Sequence, residues 1–328
     1  MGVTEDFDLG IDRIINEIKN RNARKVGLQF PEGLKRRSFS IASEIENKTG
    51  AEVQISANPC YGACDLDRQL LETMDLVFHF GHSTIREDDG GKVIYIEARS
   101  PVDLGEVVRK AIPLFEGIRI GLITTVQHVH KLEGIRRLLE EVGKEGVIAE
   151  GDSRIAYPGQ VLGCNFSAAF SEDCDEYLYI GGGQFHPIGV ALCSKKPVII
   201  ADPYLNEVRK VDTHAIMKKR YAAIGKAMNS KVVAIVVSTK TGQQRMELAK
   251  YLLRSAKKKG LQAYILTMDL VSPEQLLNFK VDVIVNTACP RIAIDDAGRY
   301  PAPMLTPPEF EIVLGEREEL VFDEIRGE

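Results

Sequence analysis

The run Lys231-Val-Val-Ala-Ile-Val-Val-Ser238 decides the class of fold. An uninterrupted apolar run rich in β-branched residues is typical of a strand that is buried on both faces of a parallel sheet. A segment with helical periodicity follows from about residue 243 to 259, is closed by Gly260, and leads to another apolar run from residue 262. Alternation of this kind predicts an α/β fold, in which helices cover parallel sheets.

The same order of elements begins three times along the chain. A helix near 9–22 and a strand at 26–30 open the first third, and a strand at 118–124 with a helix at about 129–142 opens the second. Further strands are expected near 52–56, 76–80, 93–97, 147–150, 177–181, 197–201, 262–267 and 281–286. We therefore predict three similar Rossmann-like domains around a central site, with boundaries at 1–105, 106–210 and 211–328.

A short helix is expected between the last two of these strands. Ser272-Pro273-Glu274-Gln275 has the pattern of a capping box with proline at the first helical position.

Composition limits the class of protein. The 328 residues are 44% hydrophobic and 27% charged, which is typical of a soluble globular chain with two or three domains. The net charge of −5 argues against a general nucleic-acid binder. The acidic N-terminal residues lack an apolar segment, and no window approaches the ~20 apolar residues of a membrane span. We expect a cytoplasmic protein without membrane or direct nucleic-acid contact.

Three of the six cysteines, Cys64, Cys164 and Cys289, lie in turn-like sequences, one in each predicted domain. Each follows a strand, and loops at the carboxyl ends of parallel strands are where α/β proteins bind ligands. Asp65 is expected to cap a helix that would lower the pKa of the Cys64 thiol. Zinc normally takes four protein ligands in a structural site, whereas three thiolates leave one iron of a [4Fe-4S] cluster open. The pattern therefore predicts a catalytic cluster.

The other three cysteines are interpreted differently. Cys193 lies in a helix-like run and is expected to pack in the core, and Cys174 lies among carboxylates that disfavour a thiolate. Cys60 stays open between a spare ligand, a redox-active neighbour of Cys64 and a small buried residue.

Other motifs are weak. The run Gly181-Gly182-Gly183-Gln184-Phe185-His186 lacks the last glycine of a dinucleotide-binding fingerprint, and no P-loop sequence occurs. His128-x-His130 together with a carboxylate is an alternative site for a single metal ion, although histidines hydrogen-bonded in a polar cleft would give the same pattern.

Four segments together carry a resemblance to a known family. They are Asn58-Pro59-Cys60-Tyr61-Gly62-Ala63-Cys64-Asp65, Gly151-Asp152-Ser153-Arg154, Pro158-Gly159-Gln160-Val161-Leu162-Gly163-Cys164-Asn165 and Ala288-Cys289-Pro290-Arg291-Ile292-Ala293-Ile294-Asp295-Asp296. The chain resembles archaeal 2-(3-amino-3-carboxypropyl)histidine synthase, the enzyme of the first step of diphthamide biosynthesis, over nearly its whole length. In that family the cysteine of Tyr-Gly-Ala-Cys is the ligand, which implies Cys64 and leaves Cys60 as an extra.

The resemblance implies a transferase that is a homodimer of three-domain subunits. Each subunit would hold a [4Fe-4S] cluster that binds S-adenosylmethionine as co-substrate. A low-potential electron donor would drive cleavage to methylthioadenosine and a 3-amino-3-carboxypropyl radical, which adds to C2 of a histidine of elongation factor 2.

Strand-end position suggests five cofactor-binding residues. Arg154 or Arg291 is expected to pair with the cofactor carboxylate, and Gln127, His128 or Gln243 with its polar edges. Two other functions stay open: a three-cysteine dehydratase-like enzyme of the quinolinate synthase type, and a non-catalytic, cluster-bearing electron-transfer subunit.

Overall fold

The computed structural model of the chain describes residues 7–85 and 91–327. Within these residues the chain forms three separate sheets, each covered by helices, which confirms the predicted α/β class. No helix in this part of the chain is both long and apolar enough to cross a membrane.

The first sheet has the strand order β2-β1-β3-β4, and all its pairings are parallel. Its strands are β1 (Lys25–Gln29), β2 (Glu52–Ile55), β3 (Leu76–Phe80) and β4 (Val93–Ile96). Its helices are α1 (Ile11–Asn20), α2 (Ser38–Thr49) and α3 (Arg68–Thr73). Ile14 and Ile18 of α1 pack with Val26 and Leu28 of β1 in one apolar core. The predicted helical periodicity of α1 thus corresponds to its buried face.

The second sheet has the order β6-β5-β7-β8-β9, and β9 is antiparallel to β8 while the other pairings are parallel. Its strands are β5 (Arg119–Thr124), β6 (Glu145–Val147), β7 (Glu176–Ile180), β8 (Val198–Asp202) and β9 (Glu207–Lys210). Its helices are α4 (Gly105–Ala111), α5 (Leu132–Glu140) and α6 (Phe185–Ser194). Among the named strands of the described residues, the edge strand β9 is the one that pairs antiparallel.

The third sheet has the order β11-β10-β12-β13 and is parallel. Its strands are β10 (Val232–Ser238), β11 (Gln262–Met268), β12 (Val283–Asn286) and β13 (Met304–Leu305). Its helices are α7 (His214–Ala227), α8 (Met246–Lys258), α9 (Pro273–Leu276), α10 (Pro290–Asp295) and α11 (Pro307–Val313). Ser272 accepts a hydrogen bond from the Gln275 amide at 3.4 Å, so it caps the short helix α9 as the sequence predicts.

One hydrogen-bonded feature recurs in all three sheets. Asp75, Asp175 and Asp282 each accept hydrogen bonds at 2.8 Å from two consecutive backbone amides at the start of the central strand. The donors are Arg24 and Lys25, Ile118 and Arg119, and Lys231 and Val232, respectively. An equivalent aspartate therefore holds the first residues of β1, β5 and β10 in the three sheets, which supports a repeated unit.

The last residues of the chain connect the third sheet to the second. Beyond α11, the Ile325 amide donates to the Cys164 carbonyl at 2.8 Å, and Asp323 pairs with Arg245 at 2.6 Å. Each sheet lies within one predicted domain range, but this segment bridges two domains. The exact domain boundaries stay a prediction.

Candidate metal centre

A cavity of about 730 Å³ lies where the three domains meet. Cys64, Cys164 and Cys289 all line it, one from each domain. Parallel strands place their carboxyl ends, and the loops that follow them, at one edge of a sheet. The structure thus brings together the three predicted cysteine ligands.

Cys164 and Cys289 are held through their backbone carbonyls. The segment before Cys164 extends the second sheet, because the Val161 amide donates to the Thr124 carbonyl at 2.8 Å. Cys289 immediately precedes α10, and its carbonyl accepts a hydrogen bond from the Asn286 side chain at 2.8 Å. Backbone anchoring leaves both thiol groups free to face the cavity.

Cys64 is held by the third domain. A Cβ atom on Gly242 would lie 2.4 Å from Cys64 Cβ, so only glycine permits this close approach. The Gln243 side chain donates a hydrogen bond to Cys64 Sγ at 3.2 Å. Gln243, expected to contact a cofactor, therefore contacts the thiol in this structure.

The predicted cap at Asp65 is wrong. Helix α3 begins at Arg68, and Asp67 caps it by accepting from the Gln69 and Leu70 amides. Asp65 instead forms a buried ion pair with Lys240 of the third domain at 2.6 Å. Asp67, two residues further along, is better placed to accept hydrogen bonds from the first amides of the helix. The side chain of Asp65 therefore pairs with the third domain instead.

The pKa of the Cys64 thiol is also opposite to the prediction. Burial raises it, while the hydrogen bond from Gln243 lowers it by less. Burial likewise raises the pKa of Cys164 and raises that of Cys289 to about 12. Thiols in such surroundings lose their protons when a cation replaces them, so the donor set suits a metal centre.

The wall of the cavity carries polar atoms without partners. Arg154 Nε, Arg291 Nη1 and Gln160 Oε1 are buried and have no hydrogen-bond partner among the described residues. Buried polar groups are usually paired, so a rotation that turns these atoms towards the cavity would let a ligand there satisfy them. Two are cationic donors and one is an acceptor, which suits a ligand that carries both a carboxylate and an ammonium group.

The two arginines differ in how much of their charge is already matched. Arg291 stacks on the Phe185 ring at 4.0 Å and holds Asp295 through two hydrogen bonds of 2.8 and 2.9 Å. Arg154 donates to the Gly242 carbonyl at 3.1 Å, and no carboxylate within the described residues lies within ion-pairing distance of it. Arg154 is therefore the stronger candidate for binding an anion.

Of the remaining two predicted contact residues, Gln127 and His128, only the first lines the cavity. Gln127 lines the cavity and donates to the Gly81 carbonyl at 3.4 Å. His128 does not line it; its Nε2 lies 3.3 Å from the Tyr204 hydroxyl, and burial lowers its pKa to about 4. His128 and His130 form no metal-binding group with a carboxylate in the residues that the structure describes.

The other cysteines lie outside the cavity. Cys174 is buried in the second domain, and Cys193 packs against the same core, as expected for Cys193. Burial is the main cause that raises the pKa of Cys174, ahead of the neighbouring carboxylates that the sequence suggested. Cys60 is buried beside His79, with Sγ 3.9 Å from His79 Nε2.

Sequence reasoning missed Gln160, Lys240 and Gly242. Gln160 lies inside a quoted cysteine motif, which was the available signal. Lys240 and Gly242 follow the buried strand β10, and position after a strand was their only sequence signal.

Comparison with known proteins identifies the family of the chain. A family model described as "Putative diphthamide synthesis protein" matches residues 30–323. The chain belongs to this diphthamide synthesis family. It is 39% identical over 318 residues to the 2-(3-amino-3-carboxypropyl)histidine synthase of Pyrococcus horikoshii, covering 96% of this chain and 92% of that one.

The similarity extends over nearly the whole chain both in a more distant relative and in a solved structure. The synthase of Methanocaldococcus jannaschii is 29% identical, with 99% and 95% of the two chains covered. The crystal structure of Dph2 from Pyrococcus horikoshii with a 4Fe-4S cluster superposes with a TM-score of 0.92 at 38% identity, covering 98% of this chain and 94% of that one. The relatives' names describe a transferase.

Replacement of His128 should change how stability depends on pH. The folded protein holds the pKa of His128 at about 4, below its ordinary value of 6.5, so the unfolded chain takes up the proton first as pH falls. His128 therefore costs no stability above pH 6.5 and lowers the free energy of unfolding by roughly 3 kcal/mol at pH 4.

Urea denaturation at pH 7.5 and pH 4 measures this effect. His128→Gln should lose less stability between the two pH values than the unaltered chain, whereas His214→Gln, at an exposed position, should lose as much. Equal losses in all three proteins would contradict the placement of His128.

Proposed function

We propose that the chain is a 2-(3-amino-3-carboxypropyl)histidine synthase. It would cleave S-adenosylmethionine and transfer the 3-amino-3-carboxypropyl group to C2 of a histidine of elongation factor 2, with release of methylthioadenosine. The observation that carries the proposal is the meeting of Cys64, Cys164 and Cys289 on one buried cavity. Relatives named for this activity cover almost the whole chain.

The three thiols fit a [4Fe-4S] cluster with three protein ligands. Among the described residues they are the cysteines that line the cavity, and the Dph2 relative is named as holding such a cluster. When bound, the cluster supplies an electron at low potential and one iron without a protein ligand. The roles left to the chain are to bind the co-substrate, to orient it and to keep water out.

The polar atoms of the wall suit the methionine end of S-adenosylmethionine. The Arg154 guanidinium would pair with its carboxylate, and Gln160 Oε1 would accept a hydrogen bond from its ammonium group. Arg291, in the third domain, would donate a further hydrogen bond from its unpartnered Nη1, while its hydrogen bonds to Asp295 hold the side chain in place. Binding at this end would fix the position of the sulfonium group relative to the three cysteine thiols.

The mouth of the cavity suits a protein substrate. Tyr61 and Phe185 line the cavity, yet are 68% and 43% exposed, so the cavity reaches the surface beside them. Exposed aromatic side chains are enriched where proteins bind one another. A loop of elongation factor 2 would present its histidine through this opening. A homodimer, a low-potential electron donor and a cytoplasmic location complete the proposal.

Turnover by the purified chain is the central test. Under anaerobic conditions, the chain with its iron-sulfur cluster assembled is incubated with dithionite, S-adenosylmethionine and unmodified elongation factor 2. We expect methylthioadenosine to form and the factor to gain the mass of one 3-amino-3-carboxypropyl group.

The two alternative functions give different results in the same assay. A dehydratase-like enzyme would not bind S-adenosylmethionine, and an electron-transfer subunit would show a reducible cluster without turnover. Either result would rule out the synthase.

Iron content tests the ligands separately from turnover. Ala substitution of Cys64, Cys164 or Cys289 removes one of three ligands, and we expect each variant to lose more than half of the iron bound by the unaltered chain. Cys193→Ala is the matched control, because Cys193 lies against the second-domain core and not in the cavity. Iron content in Cys164→Ala equal to that of the control would contradict three-ligand binding.

Arg154 tests the binding of the co-substrate. Arg154→Gln removes a cation that no carboxylate neutralises, and a hydrogen bond to a charged group contributes about 1.5–3 kcal/mol, so affinity for S-adenosylmethionine should fall roughly 10- to 100-fold. Titration calorimetry on the cluster-bearing protein measures it, with iron content checked in parallel. The exposed Arg137, in α5, gives the control Arg137→Gln. Unchanged affinity at normal iron content would exclude this role for Arg154.

A further inference from the structure

A second group of potential metal ligands lies at the wall of the cavity, which His82 lines while Cys60 and His79 lie behind it. The ligand atoms of Cys60, His79 and His82 are all within 4.8 Å of one another. His79 Nε2 is 2.9 Å from His82 Nδ1 and 3.9 Å from Cys60 Sγ. The proposed reaction uses none of the three residues. Cys60 and His79 are also almost completely buried, at 2% and 0% exposure.

The first domain holds the two histidines in place. His79 belongs to β3, and His82 follows the end of that strand. Between them Gly81 has a φ of 84°, and a Cβ atom there would lie 2.8 Å from Pro31 Cγ. Only glycine fits this turn readily, and the turn brings His82 back towards His79.

Hydrogen bonding settles which nitrogen of His79 is available. Gln29 Nε2 donates to the Asp65 carbonyl at 2.7 Å, so Gln29 Oε1 is the atom that faces His79 Nδ1 at 3.0 Å. Because Oε1 can only accept, Nδ1 of His79 carries the proton. Nε2 then presents its lone pair to Cys60 and His82. Metal-binding histidines are commonly oriented by such an acceptor on the other nitrogen.

The distances are close to those of a bound zinc ion. A tetrahedral ion with bonds of about 2.05 Å to nitrogen and 2.3 Å to sulfur separates two nitrogens by roughly 3.3 Å and a nitrogen from a sulfur by roughly 3.6 Å. The observed values of 2.9 and 3.9 Å differ from these by less than about half an ångström. The third pair, a His82 nitrogen and Cys60 Sγ, lies within 4.8 Å, so side-chain rotation that draws these two atoms together would place all three around one ion.

We propose that Cys60, His79 and His82 bind a divalent transition-metal ion at a site separate from the three-cysteine centre. One thiolate and two imidazoles form a donor set that suits zinc, and a water molecule would complete its four ligands. Binding replaces the Cys60 thiol proton with the ion and releases it to solvent. The ion would also tie the loop that carries Cys60 and Cys64 to the end of β3.

Zinc binding by a chain without the three central cysteines is the sharpest test. The variant Cys64→Ala/Cys164→Ala/Cys289→Ala keeps the proposed zinc ligands, so the result does not depend on the proposed function. With zinc chloride we expect one ion per chain by dialysis and elemental analysis. Cobalt chloride should give the absorption of a single thiolate bound to cobalt.

Two further substitutions in that background identify the ligands. Cys60→Ser, which nearly preserves size, and His82→Gln, on a separate segment, should each weaken zinc binding by at least roughly 100-fold, more than the loss of a supporting hydrogen bond costs. Cys193→Ala should leave it unchanged. Absence of zinc from the triple variant, or equal zinc affinity in the Cys60→Ser variant, would overturn the proposal.

Discussion

The packing of Gly242 against Cys64 is the contact on which the centre of this molecule depends. It places the third domain against the loop of the first, where no side chain larger than glycine fits. The Lys240–Asp65 ion pair joins the same two domains. Arg154 then connects the second domain to the third through the Gly242 carbonyl. One backbone position is thus shared by all three domains, and the cavity exists only while they meet there.

That cavity is costly to maintain without its ligands. Its wall holds three thiols, of which that of Cys164 is buried, and the guanidinium groups of Arg154 and Arg291, whose Nε and Nη1 atoms are buried without partners in the described residues. Unpaired buried polar groups destabilise a fold, and so does the burial of unmatched charge. The third domain offsets part of this cost through hydrogen bonds to Cys64 and Arg154. A bound metal and the carboxylate group of a bound co-substrate would offset the rest, so stability and ligand binding are coupled at this point.

The sequence predicts local structure well because local structure depends on neighbouring residues. The run 231–238 is strand β10 within one residue, since an apolar β-branched run has few alternatives. For helix α6 the sequence predicts only the helix-like run around Cys193, whereas the helix begins at Phe185 and holds Pro187 in its first turn, where proline is tolerated. The cap at Asp65 failed because the helix begins three residues later, at Arg68, where Asp67 accepts from the Gln69 and Leu70 amides. Domain contacts such as that of Gly242 depend on tertiary packing, which spacing along the chain cannot reveal.

The two proposed metal sites share the loop that carries Cys60 and Cys64, and their donor sets would select different ions. The cavity offers sulfur from three domains, which suits iron and sulfide, while Cys60, His79 and His82 offer mainly nitrogen from one domain. Gln29 strengthens the difference, because it fixes the His79 tautomer through an amide that also holds the Asp65 carbonyl. Asp65 in turn pairs with Lys240 of the third domain. A single hydrogen-bonded chain therefore links the second site to the domain contact that shapes the first, so an ion in one would stabilise the loop that carries a ligand of the other.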